Sequence, residues 1–137
     1  MENDGILEIK DKGKILALVF LKKIRANGVR FLTPIDYPLQ VGLIEHKDGR
    51  KVPLHIHRNL RYKVNTTQEM LYIEKGKADV IIVDRKWNPV KEITLTAGDF
   101  VLFVGGGHGV NIHKSTRIIE IKQGPYPGDK KAKIFKK

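Results

Sequence analysis

The sequence predicts an all-β fold, either a sandwich or a barrel, and three observations carry that prediction. Short stretches rich in β-branched and aromatic residues recur at near-regular spacing, turn residues separate them, and no stretch has the period of a long helix. The chain has 137 residues, which is enough for one domain with a core of its own.

Turn residues mark the strands in the first third of the chain. Residues 15–21 form a short apolar run, and residues 29–32 follow the Asn27-Gly28 pair. Residues 40–45 come next and end before Asp48-Gly49, a pair that strongly favours a hairpin turn. The remaining strands are predicted at 52–57, 69–73, 78–83, 92–95, 100–104 and 117–122.

Composition excludes several classes of protein. The chain has no cysteine, so a disulfide framework and thiolate chemistry are both excluded. No apolar run approaches the roughly 18 residues of a membrane-spanning helix, and acidic Glu2 and Asp4 oppose a secretory signal. The expectation is therefore a cytoplasmic protein without a membrane span.

The net charge of +11 leaves the partner open. Basic residues are spread along the chain, and their only dense cluster lies in the tail, residues 124–137, which is expected to be irregular. A solvated surface is the first interpretation, and attraction of an anionic small molecule is the second. Nucleic acid comes last, because aromatic residues make up only 7% and do not alternate with basic ones.

His55 and His57 form the first candidate pair of metal ligands. Residues i and i+2 of a strand point to the same face, with Cα atoms roughly 6–7 Å apart, so both imidazoles can reach one ion. Neutral imidazole is the commonest metal ligand among side chains. A helix would separate the two rings, so this interpretation depends on the predicted strand at 52–57.

Glu69 is expected to face the interior. In the run from Glu69 to Ile73, alternation places Glu69 on the same face as Leu71 and Ile73. A carboxylate buried without a partner is costly, and a metal ion or a cation would remove that cost. Glu69 is thus a candidate ligand or catalytic base, and a salt bridge at the strand mouth is the alternative.

A glycine-rich block surrounds the third candidate, His108. Gly105, Gly106 and Gly107 precede it and Gly109 follows, and such residues permit positive φ and close approach of the backbone. A phosphate-binding loop is disfavoured, because no Gly-Lys-Ser/Thr ending and no helix follow. The block is interpreted as a sharp turn that directs His108 into a site.

These blocks resemble the motifs of the cupin family. The run from Gly49 to His57 matches the first half of the first motif, and the run from Glu69 to Gly76 matches its second half. Residues 58–68 form a longer spacer than the family has, which we expect to be a loop at the barrel mouth. In the second motif, Gly98-Asp99, Gly106, His108 and Asn111 match.

The second motif also departs from the family pattern. Val104 stands where proline is usual, and His108 comes one residue early, so His113 remains an alternative for completing the site. In one regular strand, His108 and His113 would point to opposite faces, unless a bulge follows the glycines.

The resemblance implies a fold, a metal and a partner. The fold would be a single cupin barrel, a jelly roll or double-stranded β-helix, over residues 42–123. Residues 1–41 would add strands that pack on the barrel or on a partner in a homodimer. His55, His57, Glu69 and His108 would hold one divalent ion, with zinc, manganese, iron and nickel all possible.

The resemblance leaves the reaction open. Basic and polar residues at the mouth suit an anionic substrate, and the candidates for substrate binding are Arg58, Arg61, Lys63, Gln68 and Asn111. The leading interpretation is an isomerase or epimerase of an activated sugar, similar to the small cupins encoded among surface-polysaccharide genes. Glu69, if it is not a ligand, or His113 would then move the proton. The alternatives are a non-catalytic sugar- or metal-binding cupin, a cupin oxygenase and, last, a nucleic-acid-binding module.

Overall fold

The computed structural model describes residues 4–137, and over these residues the fold is all-β, as predicted. Ten strands and one short helix follow each other in the chain: β1 (Ile6–Asp11), β2 (Lys14–Phe20), β3 (Gly28–Phe31), β4 (Gly42–Glu45), β5 (Glu69–Lys75), β6 (Lys77–Val83), β7 (Pro89–Thr96), β8 (Phe100–Phe103), β9 (Gly107–Ile112), β10 (Arg117–Lys122) and α1 (Asp129–Ala132). Within the described residues no helix is long and apolar enough to span a membrane.

The strands form three antiparallel sheets. The first has the order β1-β2-β8-β5-β10, the second consists of β7-β6-β9, and the third is the β3–β4 hairpin. None of them closes into a barrel, so the predicted jelly roll is not established.

The chain divides into two compact units. One, which we call the sandwich unit, runs to Ile24 and resumes from Thr67 to Lys137; the other, the hairpin unit, comprises Arg25–Thr66. The sequence-based boundaries fell instead at 41/42 and 123/124, and the first of those domains includes residues 1–3, which lie outside the described part. The N-terminal segment, expected to add strands that pack on the barrel or on a partner, supplies β2, which pairs with both β1 and β8 inside the five-stranded sheet.

The sandwich unit has a core between its two sheets. Alternation along β6 directs Ala78, Val80 and Ile82 inward, and all three are almost completely buried. From the larger sheet, Leu71 and Ile73 of β5 contribute to the same core, together with Val101 and Phe103 of β8. The predicted parity of β5 is therefore confirmed, and it places Glu69 on the inner face beside Leu71.

The hairpin unit differs from the prediction at its second half. The turn at Asp48-Gly49 is present, with Gly49 at φ 74° and its N–H donating to the His46 carbonyl oxygen. However, β4 pairs with β3, and the strand predicted at 52–57 does not form. These residues are exposed and belong to no ladder in the described structure, because a strand needs a neighbour for its backbone hydrogen bonds.

Candidate functional site

Glu69 and His108 lie close together in the sandwich unit, with side-chain exposures of 14% and 31%. Glu69 begins β5, and His108 follows Gly107 on β9, where pairing of β9 with β6 places His108 opposite Ile82. The Nε2 atom of His108 lies 3.9 Å from Oε1 of Glu69, which is too long for a hydrogen bond. Neighbouring ligand atoms on one first-row ion are about 3 Å apart, so this pair would have to move closer together to share a metal.

The imidazole of His108 packs against an aromatic ring. Phe103 lies opposite Glu69 in the β5–β8 ladder, and its ring stacks on the histidine at a centroid distance of 3.6 Å. Burial is the main cause that lowers the pKa of His108 to about 4, and the charges of Lys133 and Lys122 contribute. His108 is therefore neutral at pH 7, which is the form that binds metal.

Lys122 forms ion pairs with two carboxylates, one of which is that of Glu69. Its Nζ atom lies 2.8 Å from Oε1 of Glu120 and 3.5 Å from Oε2 of Glu69. Burial, followed by the neighbouring Glu120, raises the pKa of Glu69, whereas Lys122 holds the pKa of Glu120 below its usual value. Two carboxyl groups with pKa values shifted in opposite directions can act as an acid and a base.

The tail takes part in this electrostatic environment. The ring of Tyr126 lies over Lys122, with 4.6 Å from Nζ to the ring centroid. The Tyr126 hydroxyl donates a hydrogen bond to Asp129, and Asp129 also pairs with Lys133 at 3.0 Å. The positive charge of Lys133 contributes to the low pKa of His108. The tail is thus connected to the site through specific contacts.

Gly106 sets the direction of the chain into β9. Its φ is 64°, and a Cβ at this position would lie 2.4 Å from the carbonyl oxygen of Val83. Only glycine fits such a close approach without displacing the backbone. The turn interpretation of the glycine block agrees with this geometry.

His55 and His57 lie in the hairpin unit, and they are exposed. Their ring centroids are 5.1 Å apart, with the planes at 65°. Nδ1 of His55 lies 2.8 Å from the Pro53 carbonyl oxygen, which can only accept a hydrogen bond, so this nitrogen carries the proton. In the neutral form of this ring Nε2 carries the lone pair, the arrangement usual in metal-binding histidines.

His113 and Asn111 lie on the outer face of the small sheet. Asn111 pairs with Asp79 across the β6–β9 ladder, and Nε2 of His113 lies 2.7 Å from Oδ2 of Asp79. Thr94 donates a hydrogen bond to the other oxygen of this carboxylate. The regular β6–β9 register shows no bulge, so His108 and His113 occupy opposite faces, as strand parity predicted.

The predicted substrate-binding residues of the spacer differ in how far they are exposed to solvent. Arg58, Arg61 and Lys63 are exposed and lie in no regular element. Gln68 is buried, and its backbone N–H donates to Oε1 of Gln123 at 2.6 Å. Gln68 therefore helps to fix the start of β5, next to Glu69.

Glu120, Lys122 and the tail were not identified as site residues from sequence. The signal for the first two is alternation, because Glu120 and Lys122 share a face of β10 with Ile118, opposite Ile119 and Ile121. No local pattern connects β10 with β5 or with the tail, so the convergence depends on tertiary structure.

Comparison with known proteins found no matching family model, no similar curated protein and no similar solved structure.

The donor set fits a divalent metal ion in its chemistry. Among residues 4–137, no three histidine or carboxylate side chains are gathered closely enough to hold a metal. Imidazole and carboxylate are both side-chain groups that first-row ions accept as ligands. His108 and Glu69 supply one pair of such groups, and His55 and His57 supply the other.

Proposed function

We propose that this chain is a metal-binding protein of the cupin type. One divalent ion would be held by His55, His57, Glu69 and His108, and the bound ion would act on an anionic small molecule. An activated sugar is the leading candidate, and isomerisation or epimerisation is the leading reaction.

The observation that carries the proposal is the Glu69–His108 pair. Its histidine is kept neutral, its carboxylate is largely buried at 14% side-chain exposure, and no hydrogen bond joins them. A salt bridge would instead require a protonated imidazole, which burial disfavours here. A divalent ion between the two groups would gain a neutral imidazole and a carboxylate as ligands, and Lys122 would remain beside that carboxylate.

Positive charge around this pair supports an anionic ligand. Lys122 and Lys133 both lie close enough to affect the pKa of His108. Lysine ammonium groups bind phosphate and carboxylate as point charges, with little demand on geometry. The basic spacer residues Arg58, Arg61 and Lys63 are further candidates for the same ligand.

The carboxyl pair supports proton transfer. When bound, a divalent ion would polarise a carbonyl or hydroxyl group of the ligand as a Lewis acid. Glu120 is then the group of this chain that is suited to take a proton, because Lys122 keeps it ionised and Glu69 serves as a ligand. Isomerisation and epimerisation both need such a base.

Equilibrium titration tests the proposal. Chelator-treated protein is titrated with Co²⁺ and with Zn²⁺ by calorimetry, and we expect one site per chain. Glu69→Gln and His108→Ala should each weaken binding at least about tenfold, as loss of a ligand does. His46→Ala is the matched control, since His46 is an exposed histidine outside the ligand set.

Anion binding is tested separately on the metal-loaded protein. A nucleoside diphosphate sugar should bind more tightly to the wild type than to Lys122→Met, and inorganic phosphate serves as the comparison anion. Equal binding by both proteins would remove the anionic-ligand part of the proposal and leave the metal part standing.

A further inference from the structure

The small sheet β7-β6-β9 turns one of its faces to solvent. Alternation along β6 directs Val80 and Ile82 into the core, so Asp79 and Ile81 point the other way. On β9, His108 lies on the core side, and the residues before and after it lie on the solvent side. The strand positions of this outer face of the small sheet are Asp79, Ile81, Thr94, Gly107, Gly109 and Asn111.

Two glycines open a trough along this face. Gly107 and Gly109 are successive outward positions of β9, and neither has a side chain. A Cβ added at Gly109 would meet nothing within 4 Å, and Ile81, its partner on β6, borders the open space. Glycine weakens a strand, and inside one it often marks a place that a ligand approaches closely.

Trp87 stands at one end of the trough. It belongs to the connection between β6 and β7, and its Cζ3 atom lies 3.7 Å from the point that a Cβ of Gly107 would occupy. The residue is partly exposed. An indole beside a bare stretch of backbone offers a flat apolar surface and one N–H donor.

The backbone of Trp87 is held in a conformation that suits glycine better. Its φ is 71°, which a bulky residue rarely adopts. Asp84 fixes this turn, because its carboxylate accepts hydrogen bonds from the backbone N–H groups of Lys86 and Asn88, and its carbonyl oxygen accepts one from that of Trp87. A strained residue of this kind is a candidate for a function of its side chain.

A polar cluster stands at the other end of the trough. Thr94 donates a hydrogen bond of 2.6 Å to Oδ1 of Asp79, and Nε2 of His113 lies 2.7 Å from Oδ2. Asn111 lies directly opposite Asp79 in the β6–β9 ladder. An oriented carboxylate beside an amide can accept hydrogen bonds from neighbouring hydroxyl groups and donate to them.

The length and chemistry of this face select a class of ligand. From Asp79 to Val83, the partner of Gly107, the distance along β6 is about 13 Å, which a short oligosaccharide can cover. A sugar ring has an apolar C–H face that suits the indole, and a rim of hydroxyl groups that suits the carboxylate and the amide. A phosphate or another anion would instead be repelled by the carboxylate of Asp79.

We propose that the outer face of the small sheet binds a neutral oligosaccharide, either free or as a segment of a polysaccharide. Trp87 stacks on one sugar ring, the glycine trough takes the adjoining part of the chain, and Asp79 and Asn111 bind hydroxyl groups at the far end. His108 lies on the other side of β9, so this site is separate from the proposed metal site. The inference goes beyond the metal function and does not depend on it.

Affinity electrophoresis of the full chain tests the proposal. Native gels contain soluble mannan, galactomannan or dextran, with polygalacturonate as the anionic comparison, and we expect at least one neutral polysaccharide to retard the protein. Trp87 is the only tryptophan of the chain, so its fluorescence reports on this site. Oligosaccharides prepared from the retarding polysaccharide should shift the emission. Retardation by none of the neutral polysaccharides, or by polygalacturonate alone, would overturn the proposal.

Two variants and a control locate the binding. Trp87→Gly removes the indole, and because glycine adopts positive φ readily, the variant should fold, as circular dichroism will show. Gly109→Gln fills the trough at a position where a Cβ has room. Each should weaken polysaccharide binding at least about tenfold. Tyr62→Ala, which removes an exposed aromatic ring of the hairpin unit, should leave binding unchanged. Full binding by folded Gly109→Gln, or its loss in Tyr62→Ala, would contradict a site on this face.

Discussion

The imidazole of His108 lies flat on the ring of Phe103, with the planes 2° from parallel. This contact removes one face of the histidine from water, and desolvation is the largest cause that lowers its pKa to about 4. Without this contact, the imidazole of His108 on β9 would be more fully solvated. With it, the ring is desolvated, which favours the neutral form.

The first prediction concerns this pKa. In metal-free protein, the His108 ring resonances should titrate near pH 4 in a two-dimensional NMR experiment. Phe103→Leu opens one face of the ring to water, so the pKa should rise toward the usual value of about 6.5. A His108 that titrates near 6.5 in the wild type would contradict the stacked, desolvated site.

The same shift predicts how stability depends on pH. The unfolded chain takes up a proton on His108 near pH 6.5, whereas the folded chain does so only near pH 4. Between these values the unfolded state binds more protons, so the free energy of unfolding falls as the pH is lowered from 6.5 to 4. In urea unfolding of metal-free protein, His108→Phe should show a shallower fall over this window than the wild type.

The second contact to test is Lys122 between the two carboxylates. Lys122→Met leaves Glu69 and Glu120 side by side without their cation, and we expect a loss of about 1–2 kcal/mol in the free energy of unfolding at pH 7. Adding Glu120→Gln to this variant should recover part of the loss, since it removes the repulsion. A double-mutant cycle, measured by denaturant unfolding, gives the coupling energy between Lys122 and Glu120. Additive effects of the two substitutions would contradict an interaction between these side chains.

Gly106 gives a prediction with a matched control. Gly106→Ala combines a positive φ with a Cβ placed 2.4 Å from a carbonyl oxygen, so it should cost about 1–3 kcal/mol of stability and weaken metal binding. Gly109→Ala, three residues along, places its Cβ in open space and should change stability by less than about 0.5 kcal/mol. Similar losses in thermal unfolding of the two variants would show that the turn does not direct His108.

His113 serves to separate the two faces of the small sheet. It pairs with Asp79 on the outer face, away from Glu69 and His108. His113→Ala should therefore leave metal content and metal affinity unchanged. A clear drop in affinity by calorimetry would restore His113 as the histidine that completes the site.

Local patterns predicted much of the fold because they act within one strand. Alternation from Glu69 to Ile73 placed the carboxylate inward, and the structure agrees. Strand β9 was not predicted, because Gly106 directly precedes it and Gly107 and Gly109 lie within it. Glycine is rare in strands and favours turns. The strand expected at 52–57 shows the opposite case: its pattern is that of a strand, but pairing depends on an edge elsewhere.

The site was harder to predict than the strands. His108 and Glu69 were identified from their own motifs, but Phe103, Lys122 and Glu120 reach them through the β5–β8 and β5–β10 ladders. The contribution of Lys133 depends on how the tail runs past Tyr126. Such contacts join residues far apart in the chain, so neither spacing nor composition reveals them.

Metal content of the purified protein tests the central claim most directly. The protein is prepared without chelator, and inductively coupled plasma mass spectrometry counts the bound metal in the wild type and in the His55→Ala/His57→Ala double variant. The account predicts about one divalent ion per chain in the wild type and a loss of most of it in the variant. A wild type without bound metal, or a variant that retains the full complement, would contradict it.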